Sequence, residues 1–199
     1  HQYSLPRAEA NDFTRLLAKQ SKESLARVEG VPRKRQDVLP IAALVMRRLL
    51  KMLEPKDVIF SANGLREGLA YALLDERQRG EDPLLAYCLH MANREGRFGE
   101  HGAEIDRFIA PIFERDTPAR QRIRYAAAIL SDTAWRVHPD YRGEQSLGLI
   151  LHAPFGAILQ NERALLALIV FTRYTGTASD PVAAPAWQLL NAEEIQYAL

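Results

Sequence analysis

Asp57-Val58-Ile59-Phe60-Ser61-Ala62 is a short run with β-branched and aromatic members, bounded by Glu54-Pro55 on one side and Asn63-Gly64 on the other. It is the one stretch of the chain with convincing strand character. A single strand leaves its backbone N–H and C=O groups without ladder partners. Its neighbours are therefore expected to lie elsewhere. Toward the amino terminus, Asp37 is expected to cap a helix running to about Leu53, with Pro40 in the first turn, where its missing N–H costs little. Ile41 to Met46 is apolar on nearly every side, which implies burial. Further out, Phe13, Leu16, Leu17, Leu25 and Val28 fit one face of an amphipathic helix over Asn11 to Glu29, stopped by Gly30.

Toward the carboxy terminus every periodic segment reads as helix: Glu67 to Leu74, Asp82 to Arg94, Ala103 to Glu114, Pro118 to Val137, Gln145 to His152, Glu162 to Tyr174 and Ala186 to Leu199. Breaks fall at Gly80, Gly96 through Gly102, Asp116-Thr117-Pro118, His138-Pro139 and Gly176 through Pro185. The chain thus divides near Gly64 into a helix-helix-strand piece of an α/β domain and an all-helical domain. Neither an internal repeat nor a low-complexity tract is present.

Composition bounds the function class. The 199 residues are 47% hydrophobic and 26% charged, with 26 Lys plus Arg against 25 Asp plus Glu. A chain of this size buries roughly 70% of its unfolded surface, so disorder and disulfide-stapled scaffolds are excluded. A net charge of +1 excludes a dominant basic arm or acidic tail. The longest apolar run, Ala164 to Phe171, is far short of a membrane span and is expected in a domain centre or a subunit interface. Cys88 is the only cysteine, with no partner for a disulfide, which fits a core position and a reducing cytoplasm. His1-Gln2-Tyr3-Ser4 carries no initiator Met, basic start or apolar signal core, and is expected to be the edge of an excised fragment.

Two stretches are specific enough to carry a resemblance. Arg35-Gln36-Asp37-Val38-Leu39-Pro40, followed by Ser61-Ala62-Asn63-Gly64-Leu65-Arg66-Glu67-Gly68, resembles in order and spacing the end of the phosphatase domain of the exopolyphosphatase/guanosine pentaphosphate phosphatase (Ppx/GppA) family. Downstream, Ile129 through Arg142 (ILSDTAWRVHPDYR) resembles the HD-like helical carboxy-terminal domain of longer family members. The resemblance implies a mainly α fold: a remnant of an actin-like ATPase-fold domain over 1–65, then an HD-like helical domain over 66–199. It implies a parent that hydrolyses the terminal phosphoanhydride of inorganic polyphosphate, or the 5′ phosphate of guanosine pentaphosphate. The glutamate base, glycine-rich phosphate loops and divalent metal, expected to be Mg, would then lie upstream of His1. The fragment alone would be inactive and would bind polyanion or form a homodimer. No G-x-x-x-x-G-K-[ST] or G-x-G-x-x-G motif occurs in the chain itself.

Several basic residues are candidates for polyanion contact. Arg33, Lys34 and Arg35 form the densest basic cluster, at an expected helix amino terminus, against the plain reading of a solvated turn. The family carries a small residue where this chain has Gln36. Arg66 faces either a phosphate cleft or, with Glu67, an ion pair or hinge between domains. Arg136, His138 and Arg142 gather around one bend, and with Arg120 and Arg124 would line a basic channel if they converge; the alternative pairs them with Glu114, Asp116, Asp132 or Asp140. The place of an HD metal doublet holds Ser131-Asp132, and serine is a poor substitute for imidazole, so no metal ligand is assigned. Gly96, Gly99 and Gly102 follow a helix and read as a flexible loop. The aromatic residues read as core anchors, so nucleic acid is not an expected partner. The rival class is a helical regulatory or protein-interaction module without polyanion binding.

Overall fold

A computed structural model describes residues 2–61, 63–98 and 100–199. It is 66% helix, so the fold is mainly α, with a single two-stranded sheet. Two compact units form, one of Tyr3–Phe60 and the other essentially Ser61–Leu199. Ala62 and Gly99, named in the sequence reading, lie outside the described residues.

In the first unit, strand β1 (Gln2–Pro6) pairs with β2 (Asp57–Ser61). The pairing continues into the Arg7 N–H, which donates to the Lys56 carbonyl at 3.0 Å. The strand expected at Asp57 is present, and its neighbour is β1, a stretch in which the sequence showed no strand. Helix α1 (Arg7–Leu17) follows β1 directly, and the expected long helix to Glu29 is broken. Ser21 starts the short α2 (Lys22–Leu25) by accepting the Ser24 N–H, which uses a serine as a cap where a continuous helix needed an interior residue. α1 packs against α3 (Leu39–Leu53), and Ala10, Leu25, Ala43 and Leu50 are buried.

Two expectations about α3 are corrected. Asp37 is not its cap: Val38 occupies that position without a side-chain bond, and Asp37 instead pairs with Lys22 at 2.8 Å in an exposed ion pair. The Ile41 to Met46 stretch is not buried on all sides, because Ile41, Leu44 and Val45 are each more than half exposed. α1 is the element that packs closely on α3 among the described residues, and one helix covers only one side of an apolar helix.

The second unit contains α4 (Leu65–Ala72), α5 (Glu76–Gly80), α6 (Pro83–Glu95), α7 (His101–Ile109), α8 (Pro118–Leu130), α9 (Arg142–His152), α10 (Gln160–Thr175), α11 (Ala184–Trp187) and α12 (Ala192–Tyr197). α10 is central: it packs on α8, α9, α11 and α12, and seven of the eight residues Ala164 to Phe171 are buried. The apolar run is therefore a domain centre. Cys88 is fully buried there, and burial pushes its thiol pKa up to about 12. No helix among the described residues is long and apolar enough to cross a membrane.

Local side-chain bonds explain where helices end early. α8 stops at Leu130 instead of Val137, where the Thr133 hydroxyl donates to the Leu130 carbonyl at 2.8 Å. The expected helix over Ala186 to Leu199 is split because Asn191 and Glu194 exchange two 2.9 Å bonds that found α12 anew. Gly102 is not loop: it is buried in α7, and a Cβ there would meet the Ile129 Cα at 2.7 Å. That close approach sets the α7–α8 packing. Gly102→Ala should therefore destabilise the unit by roughly 1–3 kcal/mol. Gly148→Ala, in α9 with nothing within 4 Å of its new Cβ, should stabilise it by about 0.5–1 kcal/mol. Urea unfolding followed by tryptophan fluorescence checks both, since Trp135 and Trp187 both lie in this unit.

Candidate functional site

α3 carries Arg47, Arg48 and Lys51 at spacings of three and four, which places them on adjoining faces of its last two turns. With Arg7 and Asn11 of α1 they line a groove of ≈ 510 Å³ whose one carboxylate is Glu54. Glu54 lies 3.9 Å from the Arg7 guanidinium and both are exposed, so it offsets little of the positive field. The helix dipole is negative at this end, which favours the cations themselves. An anion in the groove would be held by side chains and not by backbone N–H groups.

Arg33, Lys34 and Arg35 form a single 3₁₀ turn before Gln36. All three are exposed, and none is ion-paired among the described residues. The turn precedes α3 by three residues, so the expected helix amino terminus beneath the cluster is absent. Gln36 is buried, and the basic side chains therefore face outward from an anchored loop.

In the second unit three of the five expected channel residues, Arg120, Arg124 and Arg142, are engaged within the fold. Arg66 is exposed in the first turn of α4, where its neighbour Glu67 accepts the Gly64 N–H at 2.7 Å. That bond lowers the Glu67 pKa and makes it a helix cap. Arg142 is spent on the chain: it donates to the carbonyls of Val137 at 2.9 Å and Trp135 at 2.7 Å, bracing the bend. Arg136 is exposed, its guanidinium 5.4 Å from the Trp135 ring. His138 is exposed beside Asp140, 3.6 Å from its carboxylate. Arg120 and Arg124 are paired rather than free. Arg120 meets Glu193 at 2.7 Å, and Arg124 meets Asp106 at 2.7 Å and Asp116 at 3.1 Å. Among the described residues no group of three His, Cys, Asp or Glu is arranged to hold a metal ion.

Residues 1–77 match the model of the Ppx/GppA phosphatase family, and residues 97–198 match the model of the exopolyphosphatase carboxy-terminal domain. The chain belongs to the Ppx/GppA phosphatase family. Comparison with curated proteins gives no match. In this Ppx/GppA member, the basic groove on α1 and α3 was missed by the sequence reading. The spacing of Arg47, Arg48 and Lys51 was available as a signal, but Arg7, forty residues away in the chain, joins them only through the α1–α3 packing.

Buried Arg124 helps tie down the last helix of this family member. Asp116 accepts from both the Arg124 guanidinium and the Tyr197 hydroxyl, the latter at 2.6 Å. Burial, and then the Asp116 carboxylate receiving its proton, raises the Tyr197 pKa above its ordinary 10.0. The unfolded chain ionises first as pH rises, so this stability is complete below pH 10 and is lost on the way up to the folded pKa. Tyr197→Phe should cost about 1 kcal/mol at neutral pH and reduce the alkaline slope of stability. Tyr174, whose pKa is also raised, should keep part of that slope. Urea midpoints measured from pH 8 to beyond pH 10 check this.

Proposed function

We propose that this chain is the carboxy-terminal region of an exopolyphosphatase-like phosphatase, and that its own part of the work is to hold the polyanion. The parent would hydrolyse terminal phosphoanhydrides of polyphosphate or of guanosine pentaphosphate in a reducing cytoplasm. Residues 1–65 would complete an actin-like ATPase-fold domain, and residues 66–199 would form an HD-like helical domain. The observation that carries this reading is the groove in which Arg7, Arg47, Arg48 and Lys51 face one exposed carboxylate, on the segment matched by the Ppx/GppA model. Arg33, Lys34 and Arg35, exposed and unpaired among the described residues, would extend that contact along the same segment.

The chemistry follows from the ligand. Polyphosphate presents one charge after another along a flexible chain, and arginine forks bind phosphate oxygens in pairs without losing charge near neutral pH. Several weak contacts on one chain raise the local concentration of the next phosphate, so affinity grows with contact number. A divalent metal in the parent would absorb charge on the transferred phosphoryl group. Among the described residues no ligand set for it gathers. The apolar face of α3, with Ile41, Leu44, Val45 and Met52 exposed, supports a further protein layer over the first unit, either the rest of the phosphatase or a second copy.

That same apolar face also favours the rival reading, a protein-interaction module without polyanion binding, and salt separates the two. Polyphosphate should bind the chain with log affinity falling linearly in log salt, as counterions are released. Replacing Arg47, Arg48 and Lys51 together by alanine should weaken binding by roughly tenfold or more and reduce the salt slope. Absent or salt-independent binding would leave the interaction module standing.

A further inference from the structure

Two concavities in the helical unit share a wall. The inner one, ≈ 290 Å³, lies among α7, α8 and α10 and is lined mainly by Ile105, Ile109, Phe113, Ala128, Ile169 and Val170. The outer one, ≈ 190 Å³, opens past Arg97, His101 and Asp132. Ile105, Ala128, Ser131 and Arg173 line both, so the two form one groove with an apolar inner part and a charged mouth.

Two polar groups at the junction are unspent. Ser131 is 5% exposed. Its backbone is engaged, the N–H donating to Ala128 and the carbonyl accepting from Tyr174. Its hydroxyl makes no hydrogen bond among the described residues and is not among the side-chain atoms closed off from solvent, so it is free to donate into the groove that Ser131 lines. Arg173 is exposed, stacks 4.8 Å from the Tyr174 ring centre, and has no carboxylate partner among the described residues. The charges facing the mouth can be accounted for. Arg97 stacks 4.4 Å from the Phe98 ring centre and has no carboxylate partner among the described residues, His101 sits 2.7 Å from Glu104, and Asp132 accepts the Arg97 backbone N–H at 3.0 Å. Deeper in, Arg124 is neutralised by Asp106 and Asp116.

We infer that this groove binds a small amphiphilic anion, its hydrocarbon body in the inner part and its phosphate or carboxylate head between Arg173 and the Ser131 hydroxyl. A purine fits poorly, because the inner wall offers almost no free donor or acceptor for its ring nitrogens. At roughly 30 Å³ for each water-sized group, the ≈ 290 Å³ space holds a chain of about nine or ten methylenes. The site is separate from the basic groove of the first unit and does not depend on polyanion binding there.

Calorimetric titration of the 199-residue chain with octyl phosphate, octanoate, 1-octanol and inorganic phosphate, below their micellar range, tests this. Octyl phosphate should bind saturably and roughly tenfold or more tighter than octanol, and shortening the chain by two carbons should cost roughly another tenfold. Octanoate binding with similar strength assigns the head site to anions in general; octyl phosphate alone assigns it to phosphate. Arg173→Gln, at an exposed position where folding is not at risk, should bring octyl phosphate down to the octanol level, and Ser131→Ala should weaken both anions but not octanol. Equal binding of octanol and the anions, an unaffected Arg173→Gln variant, or no saturable binding would each overturn the inference.

Discussion

The helical unit depends on one arginine that has no carboxylate partner among the described residues. Arg163, in the first turn of α10 and 2% exposed, points its guanidinium at the open end of α9. It donates to the carbonyls of Ile150 and Leu151, each at 3.3 Å, to Ala153, and to Phe155 at 3.4 Å. The last carbonyls of a helix have no partner within it and carry its partial negative charge. A cation that meets several of them is thus neutralised by backbone alone. The arrangement is costly: burial lowers the Arg163 pKa, and its Nε–H finds no partner among the described residues. It persists because the same side chain fixes the α9–α10 pair and the connection between them.

A second arginine holds the other side of that connection. Arg122 of α8 donates to the Ala157 carbonyl at 2.8 Å and grips the Asp82 carboxylate with two donors. Asp82 in turn caps α6 through the N–H groups of Leu84 and Leu85. Its pKa is lowered chiefly by the Arg122 hydrogen bond. Ala157 sits at φ 50, a left-handed conformation unfavourable for alanine. Four helices are thereby tied to one short loop, and the polar chemistry of this unit is largely spent on the fold. This is why the arginines that looked free in the sequence are not free: Arg120, Arg124 and Arg142 all have structural partners. The first unit is the opposite case. Its core is thin, its cations are exposed and its apolar helix is half uncovered.

Much of this was legible in the sequence and the rest was hidden for physical reasons. Helical periodicity located α6, α9 and α10, and the apolar run at Ala164 to Phe171 announced the centre. The strand at Asp57 was visible in its β-branched residues. Its partner was not, because Tyr3-Ser4-Leu5 offers too few alternating positions to register as a strand. Helix ends were missed where one hydroxyl, amide or carboxylate competes with the backbone, as at Ser21, Thr133 and Asn191. Gly102 read as loop because a sequence does not show which helix will approach it. Arg33, Lys34 and Arg35 stayed exposed as read, whereas the groove formed by Arg7 with Arg47, Arg48 and Lys51 exists only through tertiary packing.

The central claim is that Arg163 organises the helical unit through backbone carbonyls, and replacing it by a chain of similar length and no hydrogen-bonding capacity tests that most directly. Arg163→Met should lower the stability of the unit by roughly 3 kcal/mol, read from urea unfolding by the fluorescence of Trp135 and Trp187. A buried ion can also be replaced by an apolar residue at no loss when it contributes nothing net. An Arg163→Met chain as stable as the original, or more stable, would contradict the account.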